Sequence, residues 1–357
     1  MDISKAENLF REGKINELAS SRQGLLFLKL KSLDRSKYIT KFLETKGVEA
    51  GTVPSSKRLT RAYNLSPSHE ELDLFIRTSY DVERSERKKH EAGLVNELYK
   101  LQTFDWGGLH QNSLEKTIVD RYIKKTSKFE DIEKSVETDL YESMRGYVFC
   151  SWYNHWSSIL IEDIFKDHER ILPALGLIKK IDFFMDGKPY DLKVTYLPEG
   201  FIARKRKQSL LRPELTLLRQ SARALNLPIN ANLSPAKQLE DLWAKHTEYS
   251  ETNETVAGIK NYRYEVINEV EKDPTELMRW LYENQGTRRF DASNRFFIVL
   301  VNRENFFEGW KMKRSIGLLK EKTNEFLNAG KAVGTNIDFN WDGQTYSVAS
   351  DMIVISN

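Results

Sequence analysis

The stretch LIKKIDFFMDGKPYDLKVTYLP, residues 177–198, decides the fold class. Two runs rich in β-branched and aromatic residues, Ile178 to Met185 and Pro189 to Tyr196, flank Asp186-Gly187. That dipeptide favours a tight hairpin turn because both of its positions tolerate positive φ. The spacing therefore predicts two antiparallel strands. Upstream, from about Tyr147 to His168, apolar residues Phe149, Tyr153, Trp156, Leu160 and Ile164 recur at three and four, which predicts a helix with a buried stripe. Downstream, residues 204 to 284 read as mainly helical, notably PELTLLRQSARALN and SPAKQLEDLWAKH, the latter with Ser234 as N-cap and Pro235 in the first turn. FFIVLV, Phe296 to Val301, is apolar without a break and so predicts a strand covered on both faces of a sheet. A helix from about Trp310 to Leu327 and a last hairpin, IDFNWDGQTYSVASDMIVI, complete an α/β pattern: a mixed central sheet flanked by helices.

The chain before this block is helical and charged. Leu9 to Leu30, Tyr38 to Thr45 and Glu70 to Ile76 carry helical periodicity, and Lys46 to Arg58 is a Gly/Pro/Ser-rich loop. A second break, Trp106 to Asn112, places a domain boundary near residue 108, and Ser113 is the expected N-cap of the helix that follows. The expected organisation is a mainly helical N-terminal region, 1–108, able to serve DNA recognition, and a core, 109–357, carrying the helical insertion at about 204–284.

Composition excludes several classes of function. With 357 residues, 40% hydrophobic and 30% charged, the chain has material for a sizeable core. Its longest apolar runs are far below the roughly 20 residues needed to span a bilayer, and residues 1–14 contain no secretory h-region, so a cytoplasmic location without membrane contact is expected. Cys150 is the single cysteine, which removes intrachain disulfides and cysteine-based zinc sites. No Gly-rich phosphate loop is present, so no nucleotide cofactor is expected. The six histidines lack metal-ligand spacing; Cys150 and Trp152 read as core.

Net charge is only +3, but its distribution is uneven. Between Phe201 and Gln220 the bases Arg204, Lys205, Arg206, Lys207, Arg212 and Arg219 face the single acid Glu214, a local excess suited to phosphates. Arg288, Arg289 and Arg295 flank the buried strand and are further candidates for contact with DNA. Lys57 to Arg61 and Arg84 to Lys89 read as ordinary surface.

The chemistry concentrates on the hairpin. Side chains two apart in a strand share a face, so Asp191 and Lys193 project together and Leu192 points away. Pairing across the turn brings Asp182 towards them, since neighbouring strands lie about 4.8 Å apart. Two converging carboxylates form a hard oxygen site suited to Mg²⁺, and a neighbouring lysine can orient or help deprotonate water or offset charge on a phosphate. The plainer reading of the same residues is a same-face ion pair on an edge strand.

This arrangement resembles the PD-(D/E)XK nuclease superfamily, to which most type II restriction endonucleases belong. The matching text is Asp182, then Asp191-Leu192-Lys193 nine residues on, with Glu162 in the upstream helix; Ile181 stands where the motif name has proline. The resemblance covers roughly Tyr147 to Tyr196 and, more loosely, FFIVLV. It implies a restriction-endonuclease-like core with the helical N-terminal region and insertion added to it. It implies catalytic roles for Asp182, Asp191, Lys193 and Glu162, with Mg²⁺, replaceable by Mn²⁺, held by Asp182, Asp191 and the Leu192 carbonyl. The helical wheel sets Asp163 nearer the apolar stripe than Glu162, which leaves the helical acid open between them. The expected activity is Mg²⁺-dependent, sequence-specific cleavage of double-stranded DNA by a homodimer. A repair, recombination or transposition nuclease with the same site is one alternative, and a non-catalytic DNA-binding protein is another.

Overall fold

A computed structural model describes residues 1–34, 37–106, 114–176, 178, 180–249, 254–285, 292–330 and 333–357. The expected boundary near residue 108 and the cap Ser113 lie outside the described residues. The chain divides into two compact units. The first comprises Met1–Phe27, Lys179–Gly309 and Ala329–Asn357; the second comprises Leu28–Ile178 and Trp310–Asn328.

The strands are β1 (Ile171–Pro173), β2 (Phe183–Met185), β3 (Lys188–Tyr196), β4 (Arg295–Val301), β5 (Thr335–Trp341) and β6 (Gln344–Ser356). Strands β2 to β6 belong to the first unit and lie in the order β2-β3-β4-β6-β5. The outer pairs β2/β3 and β5/β6 are antiparallel; β3/β4 and β4/β6 are parallel, so the sheet is mixed and the class is α/β. Each antiparallel pair is closed by Asp-Gly. Asp186 and Gly187 have φ of 49° and 78°, and Asp342 and Gly343 have 48° and 75°. Two successive positive φ values define the turn whose twist matches a two-residue hairpin, and they set the registers Met185↔Lys188 and Trp341↔Gln344. The first predicted strand is shorter than its sequence suggests: Lys180 takes φ 71°, breaking the extended run, and only Phe183–Met185 pair as strand.

All seven residues of β4 are buried, as a strand paired on both edges and covered on both faces requires. Among the described residues five α-helices bridge β3 and β4: Glu199–Gln208, Glu214–Ala224, Pro235–Tyr249, Glu254–Lys272 and Thr275–Glu283. Phe201, Ile202, Val266, Ile267, Leu277 and Tyr282 from these helices pack on Phe297, Val299 and Val301, with Ile337, Phe339 and Val348 in the same core. Alternation along β4 puts its three contributors on one face, each worth about 1.5–3 kcal/mol when fully buried.

At the N-terminus the predicted helical stretch is divided into Ile3–Arg11, Ile15–Ala19 and Arg22–Lys31; Gly13, at φ 76°, makes the first break. In the second unit, Ser68 caps a helix that runs from His69 to Leu98, its hydroxyl accepting the Glu71 N–H at 3.1 Å. This helix packs on the helix Tyr141–Lys166. Only part of the predicted stripe on the latter is covered: Tyr153, Leu160 and Ile164 are buried, whereas Phe149 and Trp156 are exposed. The segment Phe306–Arg314 is 3₁₀ rather than α-helical, and the closing helix is Ile316–Asn328. No helix among the described residues is long and apolar enough to cross a membrane.

Candidate active site

The hairpin joins Asp182 to the middle of β3 by two hydrogen bonds. The Asp182 N–H donates to the Tyr190 carbonyl at 2.8 Å, and its Oδ2 accepts the Leu192 N–H at 2.7 Å. The registered pairs of β2 with β3 extend only to Phe183↔Tyr190. Beyond that pair the Asp182 carboxylate serves the edge N–H that a longer β2 would have met, which fits the strong demand of a main-chain donor for a partner. A residue's N–H and C=O point to the same side of a strand, so the Leu192 carbonyl faces this same edge.

Asp191 sits one residue away with its N–H donated to the Asn294 carbonyl at 3.0 Å. Its Oδ1 accepts from Lys193 Nζ at 2.8 Å, as the shared strand face requires. The two differ in environment: the Asp191 side chain is 10% exposed and that of Lys193 46%. Parallel pairing places Arg295 opposite Asp191, with Nε 3.7 Å from Oδ2. The Arg295 guanidinium also donates to Gln285 Oε1 at 2.6 Å and lies 4.9 Å from the centre of the Tyr282 ring. A buried carboxylate needs compensating charge, and here Lys193 and Arg295 both provide it. On the other face of β3 the Tyr190 hydroxyl donates to Asp351 Oδ2 at 2.7 Å. Burial pushes both the Tyr190 phenol and the Asp351 carboxyl above their ordinary ranges.

The remaining predicted residues are placed differently. Glu162 and Asp163 both lie on the helix Tyr141–Lys166 of the second unit. Asp163 is buried and held by the Arg87 fork, Nε to Oδ2 at 2.8 Å and Nη2 to Oδ1 at 2.7 Å, with the Tyr80 hydroxyl on Oδ1 at 3.2 Å. Asp163 thus belongs to an ion network, along with Asp167 and Arg84. Arg84 is 5% exposed and not the surface residue its sequence context suggests. Glu162 is partly buried and pairs with Lys166 at 2.8 Å.

Two members of the basic run meet acids distant in sequence. Arg204 meets Glu276 at 2.8 Å; Lys205 meets Glu269 at 2.9 Å and Glu276 at 3.1 Å. Arg206 is buried, donating to the Arg212 carbonyl at 2.8 Å and lying over the Tyr262 ring. Lys207 is exposed. Arg288 and Arg289 lie outside the described residues, and Arg295 is turned inward to Asp191 and not outward to a groove.

Among the described residues no group of three or more acids, histidines and cysteines forms a metal cage. The donors gathered at β3 are two carboxylates and a main-chain carbonyl beside a lysine. That set fits a hard divalent ion that keeps waters or phosphate oxygens as its other ligands. The role of Arg295 was not read from the sequence, although a charged residue heading an otherwise apolar buried strand already signals a buried partner. The chain matches no family model, curated protein or solved structure in comparisons of each kind.

Proposed function

We propose that the chain is a Mg²⁺-dependent endonuclease of the PD-(D/E)XK kind acting on double-stranded DNA, with the sequence specificity of a type II restriction enzyme. The observation that carries the reading is the convergence on residues 190–193: Asp182 is hydrogen-bonded to the backbone of Leu192, and Asp191 and Lys193 share one face at 2.8 Å. An antiparallel hairpin whose second strand runs parallel to a buried strand beyond a helical crossover supports a restriction-endonuclease-like core.

In this reading Asp182, Asp191 and the Leu192 carbonyl would hold the ion, and Mn²⁺ could replace Mg²⁺. When bound, the ion supplies Lewis acidity at the scissile phosphate. The Lys193 ammonium, half-exposed and anchored on Asp191, stands where it can orient the attacking water and offset charge growing on the phosphate oxygens. Arg295 flanks Asp191 from the neighbouring strand, with Nε 3.7 Å from Oδ2. Water adds to phosphorus in line as the bond to the 3′ oxygen breaks, leaving a 3′ hydroxyl and a 5′ phosphate. Two cuts in a duplex call for two sites, which a twofold homodimer supplies. A repair or recombination nuclease would use the same residues, and cleavage confined to ends, flaps or junctions would identify it.

Incubation of unmodified phage DNA with the protein and Mg²⁺ tests the proposal, with Asp191→Ala as control. Discrete fragments from the wild type alone support it; intact DNA over a range of Mg²⁺ and Mn²⁺ overturns it. A second reading is favoured by the two cations already facing Asp191: a non-catalytic DNA-binding protein in which these residues are a structural ion network. Calorimetric titration separates the two, since the network reading expects no Mg²⁺ or Mn²⁺ uptake with or without DNA.

A further inference from the structure

In the first unit the helices Glu199–Gln208 and Glu214–Ala224 are joined by Ser209–Pro213, and the first of them ends in a closed cap. The Leu211 N–H donates to the Arg206 carbonyl at 2.8 Å and the Leu210 N–H to the Lys207 carbonyl at 3.1 Å. This pair of bonds requires a left-handed residue just after the cap, a place that glycine usually fills because it has no Cβ. Here the residue is Leu210, at φ 56°. The buried Arg206 braces the tip from beneath, its Nε donating to the Arg212 carbonyl at 2.8 Å while its guanidinium lies over the Tyr262 ring.

Leu210 is 94% exposed, and Leu211 beside it 42%. A leucine is unfavourable here on two counts, since its backbone prefers negative φ and its side chain meets only water. Packing within the unit supplies no reason for it. Single exposed leucines are ordinary on a surface, but this one stands among charges of one sign. Lys207, Arg212 and Arg223 are exposed, and among the described residues none of the three has an acidic partner. Arg212 donates to Gln220 Oε1 at 3.2 Å, and Arg223 follows Gln220 on the same helix face. The one acid between Ala203 and Ala224, Glu214, is buried against Arg263 at 2.6 Å. Glu269 and Glu276 are taken up by Arg204 and Lys205.

The geometry points to Leu210 as a wedge for duplex DNA: its side chain enters between two base pairs and opens their stack, while Lys207, Arg212 and Arg223 hold the neighbouring phosphates. Apolar side chains inserted at a base step unstack and kink the duplex, and the leucine leaves water as it does so. A tip already fixed in shape has little conformational freedom left to lose on binding. The three unpaired cations supply the salt-dependent part of the affinity. The inference deepens the DNA reading given above and rests on it for the identity of the ligand, but it uses neither Asp191 nor Lys193.

The test is binding of the full chain to a duplex whose adenines are replaced by 2-aminopurine, a base that brightens when it unstacks, in EDTA so that no strand is cut. The wild type should bind and raise the fluorescence. Leu210→Gly should bind at least ~10-fold more weakly and give no rise even at saturation, with the dependence of affinity on salt unchanged. Leu210→Asn, which also accepts positive φ, should behave alike. Both variants relieve the backbone, so they should unfold at the wild-type urea concentration or above it. Lys207→Ala/Arg212→Ala should do the opposite, keeping the rise at saturation while the slope of log affinity against log salt falls by about 2. Wild-type affinity and fluorescence in Leu210→Gly overturn the wedge and leave the DNA reading standing. A wild type that binds no duplex even at low salt removes both. Binding to vesicles of phosphatidylserine and phosphatidylcholine that needs Leu210, without duplex binding, gives the tip to a lipid surface and overturns the inference.

Discussion

Asp182 accepts the backbone N–H of Leu192 at 2.7 Å while donating its own N–H to Tyr190 at 2.8 Å. The acid therefore straddles Asp191 and fixes the edge of β3 where the short β2 strand ends. Two roles meet in one carboxylate, main-chain acceptor and ligand, and substitutions can separate them. Asp182→Ala leaves the Leu192 N–H without its partner and should cost about 1–3 kcal/mol. Asp182→Asn keeps an acceptor and most of that stability. Both should lose DNA cleavage. Urea unfolding paired with plasmid nicking reads the two effects, and cleavage by a folded Asp182→Asn would remove Asp182 from the chemistry.

Lys193 is nearly half-exposed, so Lys193→Ala should alter stability by no more than about 0.5 kcal/mol. Its loss should still slow cleavage about 100-fold or more, the usual scale of a positioned acid–base or charge-stabilising group. Single-turnover rates on a supercoiled plasmid measure this. Wild-type rates in the variant would favour the purely structural ion pair.

Removal of Arg295 strikes the buried side of the same carboxylate. Arg295→Met strips Asp191 of one of its two cations, and the Gln285 and Tyr282 contacts go with it. Breaking a buried pair from one side costs about 3–5 kcal/mol. A drop of that size in the unfolding free energy is expected, and Asp191→Asn in the same background should recover part of it, because the carboxylate charge that Lys193 alone would still balance is then gone. Absence of recovery in this double-mutant cycle would falsify the coupling.

Lys313 supplies a pH dependence away from the site. It is buried, donates to Asn154 Oδ1 at 2.7 Å, and burial lowers its pKa from 10.5 to about 8. The unfolded chain then holds the proton more tightly than the folded one between those values. Stability should rise with pH from about 8 to 10.5 and be lower by about 3 kcal/mol below that window. Lys313→Met should flatten this rise and raise stability at pH 7, less the loss of the Asn154 bond. Unfolding curves at pH 7, 8 and 9.5 decide it; parallel pH profiles for wild type and variant would contradict the assignment.

Much of the fold was legible along the chain because the determining interactions are local. Asp186-Gly187 and Asp342-Gly343 set their hairpins through backbone sterics, and the unbroken run Phe296 to Val301 announced a strand covered on both sides. Same-face placement of Asp191 and Lys193 followed from strand period alone. What only the tertiary structure decided was which charges meet. Glu269 and Glu276 compensate Arg204 and Lys205 from more than sixty residues away, Arg295 reaches Asp191 across a parallel pair, and Arg87 engages Asp163, leaving Glu162 as the freer acid. Turn sterics and side-chain alternation act between neighbours and are written in order along the sequence. Charge compensation depends on distance in space, which is set when the strands and helices pack.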